Sequence, residues 1–236
     1  EIKLADSISV STETPIIKSL STAFEDNADS GVIKRTIIGN TYNWMDSHDD
    51  VHLDNVFSKS ISERKTKIFH LHDHEYKTTS KVGEPLNVYE KQLAWSDLGI
   101  NKSGVTMALM MDSEIMKEYN SLMFKQYLAN KQSQHSVGMQ YVNIQLAVND
   151  KDYKDEYAAY KSYIDRIGNA DKAAEQGYFW AVKEAKLLEI SAVLEGSNEL
   201  TPTVANIPPS SDTEKRAAES THQKTINYLI QNFKIK

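Results

Sequence analysis

The feature that most constrains the fold is a long segment in the second half of the chain whose side chains repeat with a period of two. A β-strand places alternate residues on opposite faces, so a period of two is typical of an extended strand. The pattern predicts one strand of unusual length, and the fold therefore contains a sheet. The residues that share one face under this repeat are Ser136, Gly138, Gln140, Val142, Ile144, Leu146 and Val148.

Other segments carry strand signals, because β-branched and aromatic residues recur in them between turn residues. An apolar run near the end of the second half, LLEISAVL at 187–194, predicts a buried strand within 178–194. Gly196 and Asn198 end that strand. Further strands are expected over residues 31–38, 41–45, 66–72, 86–89 and 105–111.

A helical period appears in two places. Ser113 resembles a helix cap, and apolar residues after it recur at helical spacing, which predicts a helix running to about Asn130. Residues 152–177 are rich in Tyr, Lys, Asp and Ala, and they predict an exposed helical insertion.

The domain organisation follows from composition. Residues 1–30 are rich in Ser, Thr, Asp and Asn and predict a flexible N-terminal arm, while residues 203–236 predict a linker and a C-terminal tail helix. Residues 31–202 remain as the main domain. Their strands and helices suit either a doubly wound sheet or an antiparallel α+β barrel. No glycine-rich phosphate-binding turn follows the first strand, and periodicity alone does not decide between the two folds.

Composition excludes several classes of function. The net charge is −6, with acidic and basic residues interspersed, so we expect no nucleic-acid partner. The longest apolar runs are far shorter than a membrane span, so we expect no membrane partner. The chain has no cysteine, which rules out disulfides, cysteine-ligated zinc and cysteine nucleophiles.

A histidine cluster, FHLHDH at 69–74, is the first group of residues that suggests chemistry. On a strand, His70, His72 and His74 would project to one face, and imidazoles so placed can bind a metal together with Asp46, Asp49 or Asp73. One hypothesis is therefore a metal-dependent hydrolase. The other interpretation is a histidine-rich strand end in which a single histidine is functional.

Two further residues suggest nucleophilic catalysis. Ser136 precedes the long apolar strand, but a serine becomes nucleophilic only when an imidazole takes its proton and a third group orients that imidazole. His135 would point to the opposite strand face and is a poor base for it. Glu189 interrupts an apolar run, where burying a carboxylate costs several kcal/mol unless it is paired. Orienting a catalytic histidine would explain Glu189, whereas a half-exposed strand would place it in solvent.

Four motifs, taken in order, resemble the prohead protease family of tailed phages, whose fold is related to that of the herpesvirus assembly protease (assemblin). An aspartate-rich loop, YNWMDSHDDV, leads to NVFSKSI, which is similar to the family's short helix. LHDHE at 71–75, followed by KVG at 81–83, resembles the segment with the catalytic histidine. SVGM at 136–139 resembles the segment with the catalytic serine, and LEISAV at 188–193 resembles the segment with the acidic residue.

The resemblance implies an α+β fold with a mainly antiparallel β-barrel core and flanking helices, and the activity of a serine endopeptidase that uses neither metal nor cofactor. By this resemblance Ser136 attacks the scissile carbonyl, His74 acts as base and then acid, and Glu189 holds the imidazole. His72 is the alternative base. The amides of Val137 and Gly138 are the candidate oxyanion donors.

The resemblance also implies the biological setting. The enzyme would cleave segments of the major capsid protein and the scaffold of its own phage, and itself, inside the immature head in the host cytoplasm. Related viral proteases dimerise, so self-association is expected as well. A third hypothesis is a non-catalytic assembly protein, in which Ser136 is dispensable.

Overall fold

One mixed sheet of seven strands organises the fold in the computed structural model, which describes residues 28–132 and 134–204. The strand order is β1-β5-β4-β3-β7-β2, and β6 pairs with the other edge of β7. Strands β2 and β3 run parallel to β7, and the other pairings are antiparallel. The strands are β1 Val32–Thr41, β2 Asp50–His52, β3 Phe69–His72, β4 Lys81–Ala94, β5 Val105–Met116, β6 Gln134–Val148 and β7 Tyr178–Val193.

Within the described part of the chain, four α-helices flank the sheet, and they are α1 Ser58–Arg64, α2 Ser121–Leu128, α3 Lys154–Tyr163 and α4 Ala170–Gln176. Helix α1 begins within the segment that resembles the family's short helix. Helices α3 and α4 form the predicted insertion between β6 and β7. Among the described residues, no helix has both the length and the apolar character needed to cross a bilayer.

The α+β class is confirmed, but the predicted barrel is wrong because the sheet does not close. The segment after β7 occupies the hydrogen-bonding edge of β1 where a closing strand would pair. The Ile38 amide donates to the Pro202 carbonyl at 3.0 Å, and the Val204 amide donates to the Thr36 carbonyl at 2.9 Å. The mainly antiparallel pairing also excludes the doubly wound alternative.

Two local predictions are wrong. Residues 113–116 continue strand β5 and do not start a helix, because β5 pairs on both edges, with Ile115 opposite Ile33 on β1 and opposite Gly83 on β4. Helix α2 starts later, where the Asn120 side chain caps it by accepting the Met123 amide at 3.0 Å. No strand forms over residues 41–45 beyond the end of β1, apart from an isolated bridge between Met45 and Val51.

The long strand predicted over residues 136–148 is confirmed as part of β6, but its period is interrupted. The register with β7 shifts at three points between residues 138 and 144. The predicted arm and tail lie outside the described residues, except for the 3-10 turn Ala28–Ser30 and residues 203–204.

The two faces of β7 have different surroundings near its end. Ile190 and Ala192 belong to the main hydrophobic core, together with residues of β1, β4, β5 and α2. Glu189 and Ser191 alternate with them and therefore point to the other face. That face carries the candidate site.

Candidate active site

The site lies on the face of the sheet where β3, β7 and β6 run side by side. Ser136 on β6 is directly opposite Ser191 on β7, and Gly138 is opposite Glu189. Directly opposed residues in a ladder point to the same face. Ser136, Glu189 and Ser191 therefore share one surface, with β7 between β6 and β3.

A tight turn after β3 brings His74 over that surface. Asp73 and His74 both have positive φ, 50° and 55°. The Glu75 amide donates to the His72 carbonyl at 3.1 Å, which closes a turn of the kind that requires positive φ at both central residues. The His74 amide then donates to Ser191 Oγ at 3.0 Å, so the backbone of the turn is attached to β7.

His74 and Glu189 form the central contact of the site. His74 Nδ1 lies 2.6 Å from Glu189 Oε1, and the exposed fractions of the two side chains are 42% and 3%. The Ser191 hydroxyl donates to the other carboxylate oxygen, Oε2, at 2.6 Å. Both oxygens of the buried carboxylate thus have a donor, which offsets the cost of removing the charge from water.

The electrostatics of this pair suit a general base. The hydrogen bond that His74 donates to the Glu189 carboxylate raises the pKa of His74, although partial burial opposes the shift. Because a carboxylate can only accept, Nδ1 carries the proton, and the neutral ring keeps its free lone pair on Nε2. An imidazole held in this tautomer can take a proton from a substrate or from a hydroxyl group.

Ser136 is half-buried on the strand next to Glu189. Neighbouring strands lie about 4.8 Å apart, so Ser136 is roughly one strand spacing from the backbone that carries Glu189 and Ser191. Its hydroxyl makes no hydrogen bond with the residues that the structure describes, His74 among them. Contacts between a nucleophile and its base are often loose before a substrate binds.

Gly138 and Ser191 are site residues that sequence reasoning missed in these roles. A Cβ added at Gly138 would lie 1.9 Å from Glu189 Oε1, so the carboxylate occupies the space that a side chain would fill. Ser191 contacts both Glu189 and the turn that carries His74. The signal for Ser191 was present in the sequence, because a residue two positions after Glu189 on a strand shares its face.

The histidines do not form the predicted cluster. His70 is buried on the core side, where Nδ1 lies 2.8 Å from Ser113 Oγ and Nε2 lies 3.1 Å from the Tyr127 hydroxyl. His72 pairs in the ladder with Ala192, on the face opposite Glu189, and its Nε2 lies 3.1 Å from Asp73 Oδ2. Only His74 of the three contacts Glu189.

The aspartates proposed as metal ligands have other partners. Asp46 Oδ1 accepts two amides of its own loop, at 2.8 and 3.0 Å, and Asp49 Oδ2 accepts from the Tyr178 hydroxyl at 3.0 Å. Within residues 28–132 and 134–204, no three histidine or acidic side chains gather in a way that would hold a metal ion.

His135 points away from the site, as its place in the strand predicts. Its ring is buried on the core side, where Nδ1 lies 2.8 Å from the Thr201 carbonyl and Nε2 lies 2.8 Å from the Tyr127 hydroxyl. The Thr201 hydroxyl also donates to the His135 carbonyl at 2.6 Å. These contacts fix the start of β6 and so the position of the adjacent Ser136.

Comparisons of this chain with protein-family models, with curated proteins and with solved structures found no match.

Proposed function

We propose that this protein is a serine endopeptidase in which Ser136 is the nucleophile, His74 the general base and acid, and Glu189 the orienting carboxylate. One observation carries the proposal. A half-exposed imidazole is held at 2.6 Å by a buried carboxylate, on the sheet face that also bears a serine whose hydroxyl makes no hydrogen bond with the described residues. A nucleophile, a base and an orienting group are the three parts that this chemistry requires.

The reaction would proceed in two halves. In the first, His74 Nε2 takes the proton of Ser136 Oγ as that oxygen bonds to the scissile carbonyl carbon, and the carbonyl oxygen gains negative charge. The C–N bond then breaks, and His74 gives its proton to the leaving amine. In the second half, His74 Nε2 takes a proton from water as the water oxygen bonds to the acyl carbon. The ester C–O bond then breaks, and His74 returns its proton to Ser136 Oγ, which releases the carboxylic acid product.

Glu189 stabilises the imidazolium that forms in each half, and Ser191 holds Glu189 in place. We assign the oxyanion to the amide of Val137, which follows the nucleophile directly. Successive amides of a strand point to opposite edges. The His135 amide donates to Thr201 Oγ1, away from β7, so the Val137 amide also faces away from β7, whereas the Gly138 amide faces the ladder with β7 and is not assigned to the oxyanion. Donors must lie close to the attacked carbonyl to stabilise its developing charge.

The biological part of the proposal rests on the motif resemblance. The chain would be a prohead protease of a tailed phage, related in fold to assemblin, that cuts the major capsid protein, the scaffold and itself inside the immature head. Two observations are compatible with this proposal. The motifs occur in the family's order, and the histidine, acidic and serine motifs supply the three residues named above.

The test is coexpression of the chain with the major capsid protein and scaffold of its phage, followed by intact-mass analysis of all three proteins. We expect cleavage products with the wild type and with Ser62→Ala, a matched change of an exposed serine on α1, and none with Ser136→Ala. Cleavage should persist in the presence of a chelator.

Cleavage by Ser136→Ala would overturn the assignment of the nucleophile. Loss of cleavage on adding chelator alone would favour the metal-dependent hydrolase. Normal heads without any cleavage, from both wild type and Ser136→Ala, would favour the non-catalytic assembly protein.

A further inference from the structure

A small apolar pocket is lined by residues that precede and follow the turn that carries His74. It has a volume of about 140 Å³ and is lined by Phe69, Leu71, Tyr76, Lys77, Thr78 and Lys81. None of these side chains takes part in the proposed chemistry. The pocket therefore needs an explanation of its own.

The strand register places the pocket next to the catalytic groups. Phe69 pairs with Glu189, and Leu71 pairs with Ser191, so the apolar floor lies on the same face as the carboxylate, one strand further from Ser136. Two strand spacings separate β3 from β6, which amounts to roughly 10 Å. An extended peptide rises about 3.3 Å per residue. A substrate residue within about three positions of the scissile bond can therefore reach the pocket.

The wall of the pocket is formed by Tyr76, Lys77 and Thr78, which follow the turn that carries His74. The Tyr76 ring meets Phe69 edge-on, with the ring centroids 5.6 Å apart. The Ser80 hydroxyl donates to Glu75 at 2.7 Å, and the Ser80 amide donates to the Lys77 carbonyl at 3.1 Å. These contacts hold the turn closed and give the wall a defined shape.

The two lysines at the rim have carboxylate partners. Lys77 lies 3.3 Å from Glu75, and Lys81 forms an ion pair with Glu84. Their charges are balanced locally, and their aliphatic stems are left to cover apolar surface. The chemistry of the pocket therefore favours an apolar group over an anion.

We propose that this pocket is the substrate subsite that selects one large apolar side chain, such as that of leucine or phenylalanine, close to the scissile bond. The inference rests on the proposed protease function and adds the class of side chain that the enzyme recognises. The volume of the pocket, about 140 Å³, supports the assignment. Cavities of about 150 Å³ hold one benzene-sized group, whereas pockets for whole ligands start at about 300 Å³.

The test uses synthetic peptides based on a cleavage sequence identified in the coexpression experiment. Each of the three positions on either side of the scissile bond is occupied in turn by Leu, Phe, Ala or Asp, and kcat/KM is measured for each peptide. We expect one position at which Leu or Phe exceeds both Ala and Asp by roughly 10-fold or more, as for other apolar pockets.

Two matched variants connect that preference to the pocket. Thr78→Trp fills the pocket from its wall, whereas Thr79→Trp makes the same change at the next, exposed residue, which does not line it. We expect the preference to fall below about 3-fold in Thr78→Trp and to persist in Thr79→Trp. Labelling of Ser136 by a fluorophosphonate, unchanged in both variants, shows that the catalytic site is intact.

The outcomes separate the subsite from the protease. Cleavage by the wild type without any apolar preference, or a preference that survives Thr78→Trp, would overturn the subsite and leave the protease proposal standing. If Thr78→Trp lost both the labelling of Ser136 and the apolar preference, the result would also count against the subsite, because the substitution would then act on the whole catalytic site. Absence of any cleavage in the coexpression experiment would overturn the protease, and the subsite with it.

Discussion

Gly138 lies directly beneath the carboxylate of Glu189, and a Cβ at residue 138 would come within 1.9 Å of Glu189 Oε1. The same oxygen accepts a hydrogen bond from His74 Nδ1. The position of the imidazole therefore depends on that of the carboxylate, and the position of the carboxylate depends on the absence of a side chain at Gly138. The glycine two residues after Ser136 thus has a steric role in the site. A side chain at this position would displace the group that orients the base.

Gly138→Ala should therefore reduce kcat/KM by roughly 100-fold or more, because misplacing a catalytic group by about 1 Å costs that much. It should also lower the free energy of unfolding by about 1–3 kcal/mol, the usual cost of overpacking a tight site. Peptide cleavage and urea unfolding measure the two effects. A double-mutant cycle with Glu189→Ala provides the control, since removing the carboxylate removes the clash. Equal destabilisation in both backgrounds would contradict the steric explanation.

The raised pKa of His74 predicts the acidic limb of the pH–rate profile. The base must be neutral to accept a proton, so kcat/KM should rise with pH through the pKa of His74 in the free enzyme. The hydrogen bond that His74 donates to Glu189 raises that pKa above its ordinary value of 6.5, and the midpoint of the limb should lie above pH 6.5 as well. NMR titration of the His74 ring measures the same pKa independently of activity.

Glu189→Gln is the matched variant, because it keeps the shape of the side chain and removes its charge. The pKa of His74 should fall toward or below 6.5, and kcat should drop by roughly 10³- to 10⁴-fold. The His74–Glu189 pair makes stability fall with rising pH, whereas it makes activity rise. Since the folded pKa is raised, the pair's stabilisation is complete below pH 6.5 and is lost as the pH rises through the folded pKa. An unchanged His74 titration in Glu189→Gln would exclude Glu189 as the cause.

The parts of this site that the sequence predicts are those that follow from local periodicity. The alternation along β6 places Ser136 and His135 on opposite faces, and the apolar run around Glu189 indicates a buried strand. The choice between His72 and His74 depends on a turn with two positive φ values, which nothing in a strand-like pattern indicates. The continuation of β5 through Ile115 depends on partners more than 30 residues distant, on β1 and β4, and their pairing overrides a helical pattern in the local sequence. The sheet stays open for a similar reason, because Pro202 and Val204, which are distant from β1 in sequence, occupy its free edge.

A buried chain of hydrogen bonds supports the site from the core side, and its direction can be assigned. The Thr201 carbonyl can only accept, so His135 carries its proton on Nδ1 and accepts from the Tyr127 hydroxyl at Nε2. The Tyr127 oxygen then accepts from His70 Nε2, and His70 Nδ1 accepts from the Ser113 hydroxyl. The chain joins β5, β3, α2 and β6, and it ends on the residue before Ser136.

Tyr127→Phe should break this chain in the middle. It leaves a buried donor on His70 and a buried acceptor on His135 without a partner, and each unsatisfied group costs about 1–3 kcal/mol. Thermal or urea unfolding measures the loss. Tyr160→Phe is the control, because Tyr160 is a buried ring whose hydroxyl makes no hydrogen bond with the described residues. Equal effects of the two substitutions would show that the chain contributes nothing beyond packing.

The same two histidines should make the protein sensitive to acid. Burial lowers the pKa of His70 to about 3, with the nearby His135 as a second cause, and burial lowers the pKa of His135 to about 4. The unfolded chain binds protons at these rings from about pH 6.5 downward, whereas the folded protein does not until its pKa is reached. Stability should therefore fall as the pH drops from about 6.5 toward 4, by up to about 1.4 kcal/mol per pH unit for each histidine.

Urea unfolding between pH 7 and pH 5 measures this slope in a range where most carboxylates stay ionised. His135→Asn removes one titrating ring, and it should reduce the slope by up to about 1.4 kcal/mol per pH unit whatever it does to the absolute stability. His72→Asn is the comparison, because His72 is partly exposed and lies outside the chain. If His135→Asn and the wild type lose stability in parallel, His135 is not held neutral in the folded protein, and the assigned direction of the chain is wrong.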